Sequence, residues 1–195
     1  MPGILSNYLS KARSKKIIPF LNGNVLDIGC GQAANYRLSK ELNLQIQSYT
    51  GIEYDSNRIK SLKIEFPEAN FFTIDLDKDE IPKENQYDTI LLIAVIEHIF
   101  NLKFLFEQIH DLLKDDGKVI ITTPSPFGND FVHKIGTQLG LFDKEGGQDD
   151  HIVIFNKKRL QILANEVGLE VNKYQKFQLG CNQLVVLKKF ILGNK

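Results

Sequence analysis

Short β-branched runs alternate with stretches of helical periodicity through most of this chain, and few folds accept that order. Asn24–Ile28 (NVLDI), Gln47–Glu53, Asn70–Ile74, Tyr87–Val95 and Lys118–Thr123 read as strands. Between them, Ala33–Leu42, a segment from Ser56 to Pro67 and a segment from Asn101 read as helices. Strands that alternate with helices pair in parallel, because each crossover needs a dozen or more residues. Tyr87–Val95 (YDTILLIAV) is the most apolar run, as suits a central strand covered on both faces. The helix from Asn101 places Leu102, Leu105, Phe106, Ile109, Leu112 and Leu113 on one face, and Asp116-Gly117 is expected to end it. A later helix, capped by Asn156 and closed by Gly168, carries Leu160, Leu163, Ala164 and Val167. Two further strand-like runs, Leu169–Leu179 and Asn182–Lys189, flank Gly180-Cys181. A turn that short requires an antiparallel pair.

The chain has 195 residues, enough for one continuous core, and shows no repeat or Pro/Ser-rich linker. A single domain spanning 1–195 is expected, with residues 1–22 as an N-terminal helix packed on it; a peripheral membrane contact through this basic, amphipathic opening segment is the alternative. At 43% hydrophobic and 25% charged residues, global disorder is excluded. The formal net charge of +0 argues against a dedicated nucleic-acid partner, whose phosphate contacts need a basic surface. The two cysteines, Cys30 and Cys181, form no CxxC pair, so no metal site or disulfide is expected and a reducing compartment is. No apolar run approaches the roughly 18 residues of a membrane span, and the opening segment lacks a signal peptide's apolar stretch. The expectation is a cytoplasmic protein with no integral membrane part.

Chemistry concentrates around Val25–Gly31 (VLDIGCG), a strand running into a glycine turn at a helix N-terminus. Glycines let the backbone turn sharply and approach a ligand, and the helix start offers free N–H groups. Gly29, Gly31 and Ala34 also satisfy a relaxed dinucleotide pattern, with Glu53 about 20 residues on as a ribose-binding acid. A nicotinamide-dependent oxidoreductase is therefore the rival reading. Asp27 separates the two. Two residues before Gly29, its carboxylate sits awkwardly beside a pyrophosphate but suits a ligand bearing an ammonium and a sulfonium.

VLDIGCGQA resembles the first motif of class I S-adenosylmethionine-dependent methyltransferases. GIEYDSNRI (Gly51–Ile59) is similar to their second-strand motif, FFTIDLD (Phe71–Asp77) to the third and YDTILLIAVIEHI (Tyr87–Ile99) to the fourth. LLKDDGKVIITTP (Leu112–Pro124) resembles the helix, turn and strand before the acceptor region. The resemblance covers nearly everything from Asn24 on. It implies a Rossmann-like α/β/α sandwich whose mostly parallel seven-stranded sheet has the order 3-2-1-4-5-7-6, strand 7 antiparallel. It implies S-adenosylmethionine as cofactor, held by Asp27, Gly29, Cys30, Gly31, Glu53, Tyr54, Asp75, Leu76 and Ala94. Glu53 would take both ribose hydroxyls and Asp75 the adenine amino group, with Leu76 beside the ring. Two positions depart from the pattern: Ala33 replaces the motif's third glycine, and Glu53 stands where Asp is usual.

The implied reaction is methyl displacement from a sulfonium, in which the protein aligns the partners and excludes water. A base is needed only where the acceptor must lose a proton. His98, from the Glu97-His98 pair, is the candidate; a structural or cofactor-side role is its alternative. Residues 125–150 form a long connection with an apolar side, and a helix packed on the sheet competes with an acceptor-covering lid. Phe127, Phe131, His133 and His151 are the candidate acceptor residues. No Asn-Pro-Pro-Tyr or Asp-Pro-Pro-Tyr type element follows the fourth strand, which argues against DNA bases as acceptors. The expected acceptor is a small molecule with an O- or N-nucleophile, of sugar, lipid or quinone-precursor type. A cofactor-binding subunit without its own activity is the non-enzyme alternative.

Overall fold

The computed structural model describes residues 12–128 and 152–190. Residues 12–17 are helical and run into a 3-10 turn at Ile18–Phe20. Strands β1 (Gly23–Ile28), β2 (Ile46–Glu53), β3 (Asn70–Thr73), β4 (Tyr87–Ile93) and β5 (Leu113–Pro124) follow in turn. Helices α1 (Ala34–Glu41), α2 (Ser56–Glu65) and α3 (Leu102–Leu112) connect them, and a 3-10 turn at Ile96–His98 follows β4. Helix α4 (Lys157–Glu166) leads to β6 (Leu169–Phe177) and β7 (Asn182–Lys189). The sheet order is β3-β2-β1-β4-β5-β7-β6, with β7 antiparallel to both its neighbours. This is the expected order.

Alternation along the strands builds two cores. On one face Leu26, Ile28, Ile52, Ile90, Leu92, Val119 and Ile121 pack with Leu105, Phe106 and Ile109 of α3 and Leu160 and Ala164 of α4. On the other, Val25, Tyr49, Phe71, Leu91 and Ile120 pack with Ile17 and Leu21, Tyr36 of α1 and Ile59 and Leu62 of α2. Fully burying one such side chain stabilises by about 1.5–3 kcal/mol, so the two apolar layers lock the helices to both faces. Asp27 shares a face with Val25 and therefore points into the second core.

The capping signals act as expected. Asn101 Oδ1 accepts from Phe104 N, Asn156 Oδ1 from Arg159 N, and Gly168 adopts φ +77° after α4. Asp55, just past the second strand, caps α2 through Asn57 N and Arg58 N.

Two boundaries differ from the sequence reading. Helix α3 ends at Leu112, not at Asp116-Gly117, and residues from Leu113 are already extended. Leu113 is buried and pairs with Tyr87, while the next paired residue, Lys118, meets Thr89; an irregular stretch lies between. Cross-strand pairing captured Leu113, and helical periodicity carries no record of a partner strand. The terminal turn is also wider than Gly180-Cys181. It spans residues 178–181, with left-handed φ at Gln178, Leu179 and Gly180. Ser125, at the exit of β5, supports it by donating from Oγ to Gly180 O at 2.6 Å and from N to Cys181 O at 2.9 Å. Among the described residues no helix is long and apolar enough to cross a membrane.

Candidate active site

The strand order reverses between β1 and β4, the place where open α/β sheets form a crevice. A cavity of about 450 Å³ opens there, lined along one side by Gly29, Glu53, Asp75 and Leu76 and along the other by Ala94, Val95 and His98. That volume lies within the range of small-molecule and cofactor sites. Gly29 has φ +68°, and a Cβ on it would lie 2.5 Å from Val95 Cγ2. The β1 turn and the β4 exit thus meet so closely that only glycine fits.

Glu53 closes β2 and organises the turn. Its Oε2 accepts from Gly31 N at 3.0 Å, and its Oε1 from Tyr54 N at 3.1 Å and Asp55 N at 3.3 Å. Arg58 Nη1 lies 3.4 Å from Oε1. Charge-assisted bonds of this kind fix a carboxylate firmly. Ala33 occupies the third-glycine place with φ 52° and ψ 38°, a left-handed conformation, fully buried. The alanine fits the space but keeps the backbone shape of a glycine.

Asp75 follows β3. Its carboxylate accepts from Asp77 N at 3.1 Å and pairs with Lys78 Nζ at 2.8 Å, and these partners, Lys78 first, hold it below the usual carboxylate range. Asp77 Oδ1 accepts from Phe100 N at 2.9 Å and Asn101 N at 2.7 Å, tying this loop to the exit of β4.

Asp27 is 1% exposed beneath the glycine turn. Burial pushes it up to about 6, against hydrogen bonds from Tyr49 and Asn35 that pull it down. Glu97, also 1% exposed, is raised by burial, with the charge of Arg13 among the influences that pull the other way. Neither carboxylate oxygen of Glu97 has a hydrogen-bond partner among the described residues. Its carbonyl accepts from Ile152 N at 2.8 Å.

Of the expected cofactor residues, Gly29, Glu53, Tyr54, Asp75, Leu76 and Ala94 line the cavity. Asp27, Cys30 and Gly31 lie outside its wall. Gly31 turns its N–H to Glu53, and the Cys30 thiol sits against Gly51, whose added Cβ would lie 2.9 Å from Sγ. His98 is exposed and faces the cavity. Phe127 is half exposed beside the terminal turn and is not part of the wall. Phe131, His133 and His151, with residues 129–150 of the expected lid, lie outside the described residues. Asp88 opens β4 at the end away from the cavity, bonded to Asn24 N at 2.7 Å and to Lys114 Nζ at 2.9 Å. Sequence reasoning missed Asp77, Asn35 and Tyr49. Strand alternation places Tyr49 on the face of Gly51 and Glu53, and that signal could have found it.

The methyltransferase-domain family model matches residues 5–174. The 235L methyltransferase candidate of Invertebrate iridescent virus 6 is 26% identical over 166 residues, covering 81% of this chain and 59% of the relative. Arginine-hydroxylase NDUFAF5 of Homo sapiens is 32% identical over 136 residues, covering 67% of this chain and 36% of the relative. The chain thus spans about half the length of these curated relatives, or less. Among solved structures, an S-adenosylmethionine dependent methyltransferase from Mesorhizobium loti superimposes with a TM-score of 0.70 at 14% identity, over 91% of this chain and 96% of that one. With the motifs, the sheet order and the family match in agreement, this chain belongs to the class I S-adenosylmethionine-dependent methyltransferases.

Proposed function

We propose that this protein transfers a methyl group from S-adenosylmethionine to an oxygen or nitrogen nucleophile of a small molecule. One observation carries the reading: of the acids at the carboxyl ends of three neighbouring strands, Glu53 and Asp75 line the crevice where the sheet order reverses and Asp27 lies buried beneath its glycine turn.

The residues present fit the cofactor. The buried Asp27 Oδ1 has no partner among the described residues, and an ammonium would supply one. Glu53 is already oriented by three main-chain N–H groups and keeps acceptor capacity for ribose hydroxyls. Asp75 and Leu76, adjacent on the cavity wall, suit an adenine's amino group and ring, and the missing Cβ of Gly29 leaves room for close approach. When bound, the cofactor supplies a methyl group already activated on sulfur. The chain's own work is to bind, align and exclude water. His98, across the cavity from Glu53, is the side chain that takes a proton from a hydroxyl acceptor; an amine acceptor can release its proton to solvent.

Calorimetric titration of the protein with S-adenosylhomocysteine and, in parallel, with NAD tests the site. Binding of the first alone is expected, and preference for NAD defeats the reading. Incubation with S-adenosylmethionine and a panel of phenols, sugars and amines tests the reaction. A product heavier by one methylene is expected. A product heavier by one oxygen atom, as the name of the human relative would have it, rejects methyl transfer.

A further inference from the structure

The two oxygens of Asp27 have unlike surroundings. Oδ2 accepts from Tyr49 Oη at 2.8 Å and from Asn35 Nδ2 at 3.2 Å. Oδ1 is buried without a partner among the described residues. Neither donor lines the cavity. Tyr49 projects from β2 and is held by stacking on Tyr36, ring centroids 4.3 Å apart. Asn35 projects from the first turn of α1, and its own Oδ1 accepts from Ser14 Oγ at 3.3 Å. Both donors therefore reach Asp27 from rigid elements, with their own orientation set by further contacts.

We propose that Tyr49 and Asn35 are positioning residues of the methyl-donor site: by holding one oxygen of Asp27 they turn the other, unpartnered one to the donor's ammonium. The proposal rests on the reading of Asp27 as the ammonium's partner. Two donors on one oxygen leave the carboxylate a single orientation, and a carboxylate that need not reorganise binds a cation at lower cost.

The charges around Asp27 fix the sign of the expected pH dependence. From β2 it faces the Tyr49 phenol and, at the strand end, Glu53; from the turn, the Cys30 thiol; from α1, the neutral Asn35. Burial raises Asp27, Tyr49 and Asn35 lower it, and Glu53 raises it again. Tyr49 is itself pushed far up by burial, so its phenol stays protonated and remains a donor. Ammonium binding needs the ionised Asp27. Affinity is then full above the Asp27 pKa and declines as pH falls through it. Removing a donor raises that pKa, and the decline begins at higher pH.

The test is calorimetric titration of the full chain with S-adenosylhomocysteine between roughly pH 5 and 7.5, where an amine keeps its proton. In the unaltered protein affinity falls on acidification. Tyr49→Phe moves the midpoint of that fall upward by about one pH unit, the equivalent of roughly tenfold in affinity on the acid side. Asn35→Ala moves it the same way. Asp27→Asn binds weakly with no such midpoint. A uniform loss in Tyr49→Phe at every pH, with the midpoint unmoved, is what a mere packing role gives, and it overturns the proposal. Should Tyr49→Phe fail to melt cooperatively, Asn35→Ala carries the same comparison from the helix side. The two possible failures look different. Undiminished binding by Asp27→Asn removes the ammonium assignment itself, whereas a flat Asp27→Asn profile with an unmoved Tyr49→Phe midpoint removes only the positioning role.

Discussion

The main-chain N–H of Gly31 donates to Glu53 Oε2 at 3.0 Å, so the glycine turn after β1 and the acid closing β2 form one unit. Tyr54 N and Asp55 N bond the other oxygen, so both carboxylate oxygens of Glu53 are held by main-chain donors. Glu53→Ala strands these donors as well as removing the proposed ribose partner. Its affinity for S-adenosylhomocysteine is expected to fall by about 10- to 100-fold, as the loss of charge-assisted bonds implies. Glu53→Gln, which keeps one acceptor oxygen, should fall between. Calorimetry checks this, and equal affinities in all three proteins would contradict it.

Gly29 meets two obstacles to any side chain. Its φ of +68° disfavours L residues by about 1–2 kcal/mol, and a Cβ would collide with Val95. Gly29→Ala is expected to destabilise the protein by about 2–4 kcal/mol from strain and overpacking together. Gly29→Ala with Val95→Ala relieves the collision and leaves the backbone cost. The double variant should therefore lose less than the sum of the two single losses in urea unfolding. Simple additivity would show that the collision is relaxed elsewhere.

Asp88 tests the amino end of the sheet. Burial alone would raise its pKa, but Asn24 N–H and Lys114 outweigh burial and hold it below the ordinary value. Its contribution to stability is thus present above the unfolded pKa of about 3.9 and is lost as pH falls through the lower native value. Asp88→Asn should cost about 1–3 kcal/mol at neutral pH. Denaturation at neutral and acid pH measures it: the gap from the unaltered protein narrows in acid, while cofactor affinity hardly changes.

The two thiols should be distinguishable. Cys30 is buried, and burial, Asp27 and Glu53 all push its pKa up, so it stays protonated and shielded. Cys181 is partly exposed on the terminal turn and only burial raises it. At mildly alkaline pH a thiol reagent should label Cys181 first and Cys30 only on unfolding. Faster labelling of Cys30 would mean that the turn opens.

His98→Ala separates binding from turnover. Acting as the proposed base for a hydroxyl acceptor, His98 would contribute about 10²- to 10⁴-fold to the rate. The variant should keep its affinity for S-adenosylhomocysteine and lose turnover in that range once an accepted hydroxyl substrate is found. An unchanged rate with such a substrate dismisses the base.

Local signals in the chain were enough for the strands, the helix caps at Asn101 and Asn156, the C-terminal glycine Gly168 and the antiparallel last pair. Each depends on residues within a few positions of one another. The acids Asp27, Glu53 and Asp75 were legible for a related reason, since parallel strands with helical crossovers bring their carboxyl ends to one rim. Folding decided what depends on partners distant in sequence. Leu113 became extended because Tyr87 lay beside it. Asp88, at the start of β4, acquired Lys114 as its partner. Asp27 acquired Tyr49 and Asn35 on one oxygen and nothing on the other. Propensity and periodicity reach a few residues along the chain, whereas hydrogen-bond partners and pKa values are set by groups 8 to 64 positions away, which meet only once the sheet has closed around them.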